Sequence, residues 1–219
     1  MASFQPPAFF QYNMIKAIVF DLGGVLVDLD INACVSAFLE RIGFEKITEI
    51  LDPFHQKGIY GEMEAGNITP DEFRAYVVAN SRPGTRPEEV DQCMAALLVS
   101  MNPEKTVLLN SLAERYPLYI LSNNNPISMK RSHECFEEAG LDWRNVFKEE
   151  FVSCWMKMLK PGSEIFNEVV RRIGVAPEEI LFIDDSVNNV KGACAVGIKG
   201  VYYRQGDDLK KVIYNNLDK

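Results

Sequence analysis

Histidine is nearly absent from this 219-residue chain: only His55 and His133 occur, far apart in sequence. That scarcity excludes a multi-histidine metal site and leaves a Ser-His-Asp triad little to draw on. Cysteine is sparse too. Cys34, Cys93, Cys135, Cys154 and Cys194 are scattered, odd in number and nowhere spaced as C-x-x-C, which argues against a zinc ribbon or a secreted disulfide framework. No run of 18 apolar residues is present, so no membrane-spanning helix is expected. The opening residues lack the basic start and long apolar stretch of a signal peptide, and the expected location is the cytoplasm. Positive charge is in deficit: 23 Lys and Arg stand against 31 Asp and Glu, a net −8 that disfavours nucleic acid and membrane as partners. The remainder, 47% hydrophobic and 25% charged, is an ordinary globular composition, long enough for one large domain or a core with an insert.

Short apolar runs stopped by turn residues read as buried parallel strands. They fall at Ile15–Phe20, Leu118–Leu121, Phe151–Val152, Ile180–Ile183 and Gly200–Tyr203. Helical patterns lie between them. Residues 103–116 carry Val107, Leu108 and Leu112 on one face, and residues 161–173 space Ile165, Phe166, Val169, Val170 and Ile173 helically. Strands alternating with helices predict an α/β fold with a Rossmann-like, doubly wound parallel sheet.

Residues 31–100 break that rhythm with helices alone. Ile31, Val35, Phe38, Leu39 and Ile42 mark one helix, Thr69-Pro-Asp-Glu72 is a capping box opening a second, and residues 88–101 form a third. The predicted organisation is a loose tail over 1–13, a core built from 14–30 and 101–219, and a helical cap over 31–100. The cap is acidic, with eleven Asp and Glu against six Lys and Arg over residues 31–98.

Ligands of an open α/β sheet bind beyond the carboxyl ends of its strands. Those ends hold Asp21, Ser122-Asn123 and Asp184-Asp185, with Lys160-Pro161 expected to open the helix after the third strand. Carboxylates with open positions suit Mg²⁺. A hydroxyl, loop amides and an ammonium suit phosphate oxygens. Each motif alone is commonplace, since an isolated Asp-x-Gly-Gly is mostly a turn and an Asp pair is mostly solvated or a cap.

Taken in order, Phe20-Asp-Leu-Gly-Gly-Val25, Leu121-Ser-Asn123, Lys160-Pro161 and Ile183-Asp-Asp-Ser-Val-Asn-Asn189 resemble the haloacid dehalogenase-like hydrolase superfamily. The resemblance runs from about Met14 to Tyr203 and is to members with a helical cap after the first strand. It implies a Mg²⁺-dependent phosphatase of small, sugar-phosphate-like metabolites, working through an aspartyl-phosphate on Asp21. Ser122 and the Asn123 amide would hold the phosphate and Lys160 would neutralise it. Asp21, the Gly23 backbone carbonyl, Asp185 and nearby Asp184 would bind the metal, and Asn189 falls where many relatives carry another carboxylate.

Two departures stand out. Most phosphatases of the family carry a general acid and base two residues after the nucleophile, and here that position is Gly23. Unless another group replaces it, aryl phosphates should be hydrolysed far faster than alkyl ones. Lys157 stands where many relatives have glycine, three residues before the lysine. Three further readings follow: a catalytically impaired phosphate-binding protein, a true haloacid dehalogenase, and a proton shuttle at His55 in the cap. Asp28 and Asp30 are expected at the cap hinge, and Trp155 and Met156 near the substrate or in the core.

Overall fold

The structure, a computed structural model, describes residues 14–51 and 57–217; the expected tail over 1–13 and His55 lie outside them. Five strands, β1 (Ala17–Phe20), β2 (Leu118–Ser122), β3 (Phe147–Val152), β4 (Ile180–Asp184) and β5 (Lys199–Tyr202), form one sheet. All pairings are parallel and the order is β3-β2-β1-β4-β5. Chain order reverses beside β1, which opens a crevice at the strands' carboxyl ends. The register sets Phe20 opposite both Ile120 and Ile183, so the next residue of each strand, Asp21, Leu121 and Asp184, arrives at that crevice.

Between β1 and β2 lie α1 (Ile31–Ala37), continued by a π-turn over Phe38–Ile42, then α2 (Ile47–Ile50), α3 (Gly58–Glu64), α4 (Pro70–Ala79), α5 (Pro87–Ala95) and α6 (Pro103–Ala113). After β2 come α7 (Pro126–Glu138) and α8 (Trp143–Val146); after β3, α9 (Ser153–Met156) and α10 (Ser163–Ile173); then α11 (Val187–Ala195) and α12 (Leu209–Leu217) flank β5. Both sheet faces are covered. The period-2 alternation of β1 sends Ile18 and Phe20 into one apolar core and Ala17 and Val19 into another, the second closed by Ile165, Phe166 and Val169 of α10. Helices α1 to α5 bury a core of their own around Phe38, Phe44, Tyr60, Phe73 and Val90, met by Ile127 of α7. The Thr69–Glu72 capping box forms as expected, with Thr69 Oγ1 accepting from the Glu72 amide at 3.2 Å.

Four local expectations change. The helix from residue 88 ends at Ala95, because the chain beyond it pairs with the other connector to the sheet: Asp30 N donates to Leu97 O, Val99 N to Asp28 O and Asp28 N to Ser100 O, each at 2.9 Å. Leu29 and Leu98 bridge antiparallel between these connectors. In α6, Val107 is 73% exposed and Leu109 takes the buried position instead. Strand β3 begins at Phe147, four residues early. It is an edge strand, so Glu149 and Glu150 can leave its face for Arg172 and His133. Helix α10 begins at Ser163 rather than beside Lys160-Pro161.

Candidate active site

Lys160 is the hub of the crevice. Its side chain is only 1% exposed, and Nζ lies 2.8 Å from Asp21 Oδ1 and 2.7 Å from Asp184 Oδ2, while also donating to the Leu121 carbonyl at 2.9 Å. One ammonium thus ties the ends of β1, β2 and β4 together. Burial opposes its charge, but Asp184 and Asp21 outweigh that and hold its pKa above the usual lysine value. Its backbone is fixed by Asn123, whose Oδ1 accepts from Lys160 N at 2.8 Å and whose Nδ2 donates to Lys160 O at 2.9 Å. The Asn123 side chain is therefore a positioning group. Ser122 is buried beside it, on the cavity wall.

Asp21, Asp184 and Asp185 each offer a carboxylate oxygen within 4.8 Å of the others. Three hard oxygens so close repel one another unless a cation sits among them, and such a donor set fits Mg²⁺. Burial raises the Asp21 pKa to about 7, Lys160 opposing the rise and Asp184 and Asp185 adding to it. Burial and Asp184 raise Asp185 to about 6. Asp184 is already engaged: besides Lys160, it accepts from Ser186 N at 2.7 Å and from Asn189 Nδ2 at 3.1 Å on both oxygens. The Asp185 carboxylate takes a hydrogen bond from its own backbone N–H and from no described side chain, and is thus the freer ligand.

The loop after β1 shapes the rest. Gly24 has φ +75°, and a Cβ there would overlap the Asp185 carboxylate, so only glycine lets the loop pass so near the acidic group. Gly23 lines the cavity and has no such backbone demand; a Cβ on it would meet Leu29 Cδ1 at 3.1 Å. Lys157, where relatives carry glycine, has φ +55° at the end of α9, a conformation costing a side-chain residue roughly 1–2 kcal/mol.

The cavity over these groups is about 520 Å³ and is roofed by the insert, through Tyr60, Glu64, Ala65 and Asn67. Roof and floor are joined at Ser153: its Oγ donates to Glu64 O at 2.6 Å and accepts from Asn124 N at 2.9 Å. Gly66, φ +71°, presses so close that a Cβ would overlap the Cys154 carbonyl. Sequence reading did not single out Glu64, Ser153 or Leu29. The one usable signal was an acidic residue at the end of α3 just before Ala65-Gly66. Asp28 and Asp30 stand outside the cavity: Asp30 caps α1 through Ala33 N, and Asp28 pairs with Lys105 at 3.3 Å. Trp155 lines a separate surface groove with His133 and Arg144, and Met156 packs under the sheet.

A family model described as haloacid dehalogenase-like hydrolase matches residues 15–197. The chain is 32% identical over 201 residues to a D-ribitol-5-phosphate phosphatase of Bacteroides thetaiotaomicron, covering 90% of this chain and 96% of the relative. The crystal structure of a wild-type family enzyme from the same organism, in complex with magnesium and inorganic phosphate, superposes with TM-score 0.82 at 35% identity, over 89% of this chain and 96% of that one. A family hydrolase from Porphyromonas gingivalis gives TM-score 0.83 at 32% identity over 94% and 99% of the two chains. An L-2-haloacid dehalogenase shares the fold alone, at 21% identity and TM-score 0.61. With its parallel sheet, its helical insertion after the first strand and its carboxylate cluster, the chain belongs to the haloacid dehalogenase-like hydrolases and is a phosphatase of that family.

Proposed function

We propose that this protein is a Mg²⁺-dependent phosphatase of small phosphomonoesters of the sugar or polyol class, acting through an aspartyl-phosphate on Asp21. The observation that carries the reading is the Lys160 ammonium held at 2.8 Å from Asp21 and 2.7 Å from Asp184, beside a third carboxylate. A carboxylate pushed up to about 7 by burial is a poor nucleophile until cations favour its ionised form. Asp21, Asp185, Asp184 and the Gly23 carbonyl would hold the Mg²⁺, which when bound neutralises phosphoryl charge. Lys160 faces the charge developing on the phosphoryl oxygens, and Ser122 with the Asn123 amide orients them. The roof of α3 and the Ala65–Asn67 loop covers the rest of the substrate and limits bulk solvent around the reacting phosphoryl group.

Support for the substrate class is the cavity itself. About 520 Å³, lined by Tyr60, Glu62, Asn67 and Asn124, gives polar partners to a hydroxylated chain of a few carbons. The phosphatase relative named for D-ribitol 5-phosphate agrees with that size and polarity. Five free cysteines, four of them buried, suit the cytosol. No helix among the described residues is long and apolar enough to cross a membrane.

The test is phosphate release from sugar and polyol phosphates, nucleotides and aryl phosphates, with and without Mg²⁺. Release that needs Mg²⁺ and is fastest with polyol or sugar phosphates is the expected result. Metal-independent halide release from 2-haloacids, or phosphate binding with no turnover of anything, would overturn it.

A further inference from the structure

We infer that Glu64, carried by the insert, is the general acid and base of this phosphatase, supplying from the roof the carboxyl group that position 23 lacks. The inference rests on the phosphatase reading above and adds the source of the proton. Glu64 is 8% exposed at the end of α3, and lines the same cavity as Asp21, Lys160 and Ser122. Among the described residues its carboxyl group has no hydrogen bond and no ion pair, although its backbone carbonyl is fixed by Ser153 at 2.6 Å. A carboxyl group that opens on a reaction cavity and is bonded to no other described residue is a candidate for chemistry.

The other acidic groups on that wall are accounted for. Asp21 and Asp185 belong to the nucleophile and metal cluster. Glu62 is exposed and accepts from Asn67 at 2.7 Å, and the Tyr60 phenol is hydrogen-bonded to Ser128 and Asn125. The groups facing Glu64 are Lys160 and Asp21 from the floor, Tyr60 from its own helix and Cys154 from α9. Burial raises its pKa to about 8, Lys160 opposing and Asp21 adding, a shift that favours the protonated form an acid needs.

The steps balance with that proton. As an Asp21 oxygen bonds to phosphorus, the ester P–O bond breaks and Glu64 gives its proton to the departing oxygen, which leaves as the alcohol. The glutamate then takes a proton from the water that attacks phosphorus. The acyl-phosphate bond breaks, the Asp21 carboxylate and phosphate are released, and Glu64 ends protonated as it began.

A positioned acid of this kind contributes ~10²–10⁴-fold for a poor leaving group and little for a stable phenolate. The experiment is kcat/KM with Mg²⁺ for a matched series from 4-nitrophenyl phosphate to alkyl phosphates. It is run in the natural protein and in Glu64→Gln, with thermal melting and inorganic-phosphate binding measured on both. The expected natural protein has a shallow dependence on leaving group. Glu64→Gln is expected to keep phosphate binding, to lose ~10²–10⁴-fold on alkyl phosphates and less than about tenfold on the aryl one. Equal losses on both substrates, or none, would overturn the assignment. So would a natural protein that already prefers aryl phosphates by more than about a hundredfold, a result that needs no variant to fold. Absence of release even from 4-nitrophenyl phosphate would instead bring down the phosphatase reading, and this assignment with it.

Discussion

Replacing Lys160 with methionine isolates what the buried ammonium contributes to the fold. The side chain keeps its length and loses its charge, leaving Asp21 and Asp184 buried without the cation now 2.8 Å and 2.7 Å away, and the Leu121 carbonyl without its donor. Removing one member of a buried ion pair costs ~3–5 kcal/mol, which in a chain of this size lowers the melting temperature by roughly 6–20 °C. That loss must depend on pH, and its sign follows from the carboxylates. Asp21 already binds a proton up to about pH 7 when folded, far above its unfolded value, and loss of the lysine raises that further. The folded variant therefore takes up protons at a higher pH than the folded natural protein does. Its deficit is largest near pH 8 and shrinks as pH falls toward 5. Mg²⁺ restores positive charge at the same carboxylates, so it should raise the melting temperature of Lys160→Met more than that of the natural protein. Thermal unfolding followed by circular dichroism, at both pH values with and without Mg²⁺, measures all three effects. A deficit that is the same at pH 5 and pH 8 would refute the reasoning.

Asp21→Asn should abolish turnover while inorganic phosphate binds as well as before or better, because the nucleophile and one repulsive charge leave together; full activity would end the aspartyl-phosphate mechanism. Asp185→Ala should weaken Mg²⁺ more than Asn189→Ala in calorimetric titration, since Asn189 acts on the metal only through its 3.1 Å bonds to Asp184. Equal losses would move the metal away from Asp185. Mg²⁺ affinity should fall steeply as pH drops from 8 to 5, because protons held by Asp21 up to about pH 7 and by Asp185 up to about 6 compete with the metal. A flat affinity in the same calorimeter would contradict those elevated values.

The floor of the site was legible in the sequence because each of its parts is local. Asp21, Ser122 and Asp184-Asp185 follow apolar runs, and a strand's end is where such a run stops. Parallel pairing in register then brings those ends together without further information. The roof was not legible. Glu64 comes within electrostatic reach of Lys160 across 96 positions, and Ser153 bonds to Glu64 across 89, through a packing of insert on core that no periodicity records. Lys148, Glu149 and Glu150 hid most of β3, since a strand at a sheet's edge tolerates charge that a central one would not. In the sequence Lys157 is only a departure from the family pattern, and its φ of +55° gives the physical reason glycine is usual there.

The 3.1 Å between Leu29 Cδ1 and the point where a side chain on Gly23 would begin makes those two positions dependent on each other. The Leu29 backbone is held by its bridge to Leu98, so any adjustment falls on its partly buried side chain. An acid placed at position 23 has to push the end of the Leu29 side chain aside by a few tenths of an ångström. A shorter residue at 29 would open that space, so the two positions are best varied together.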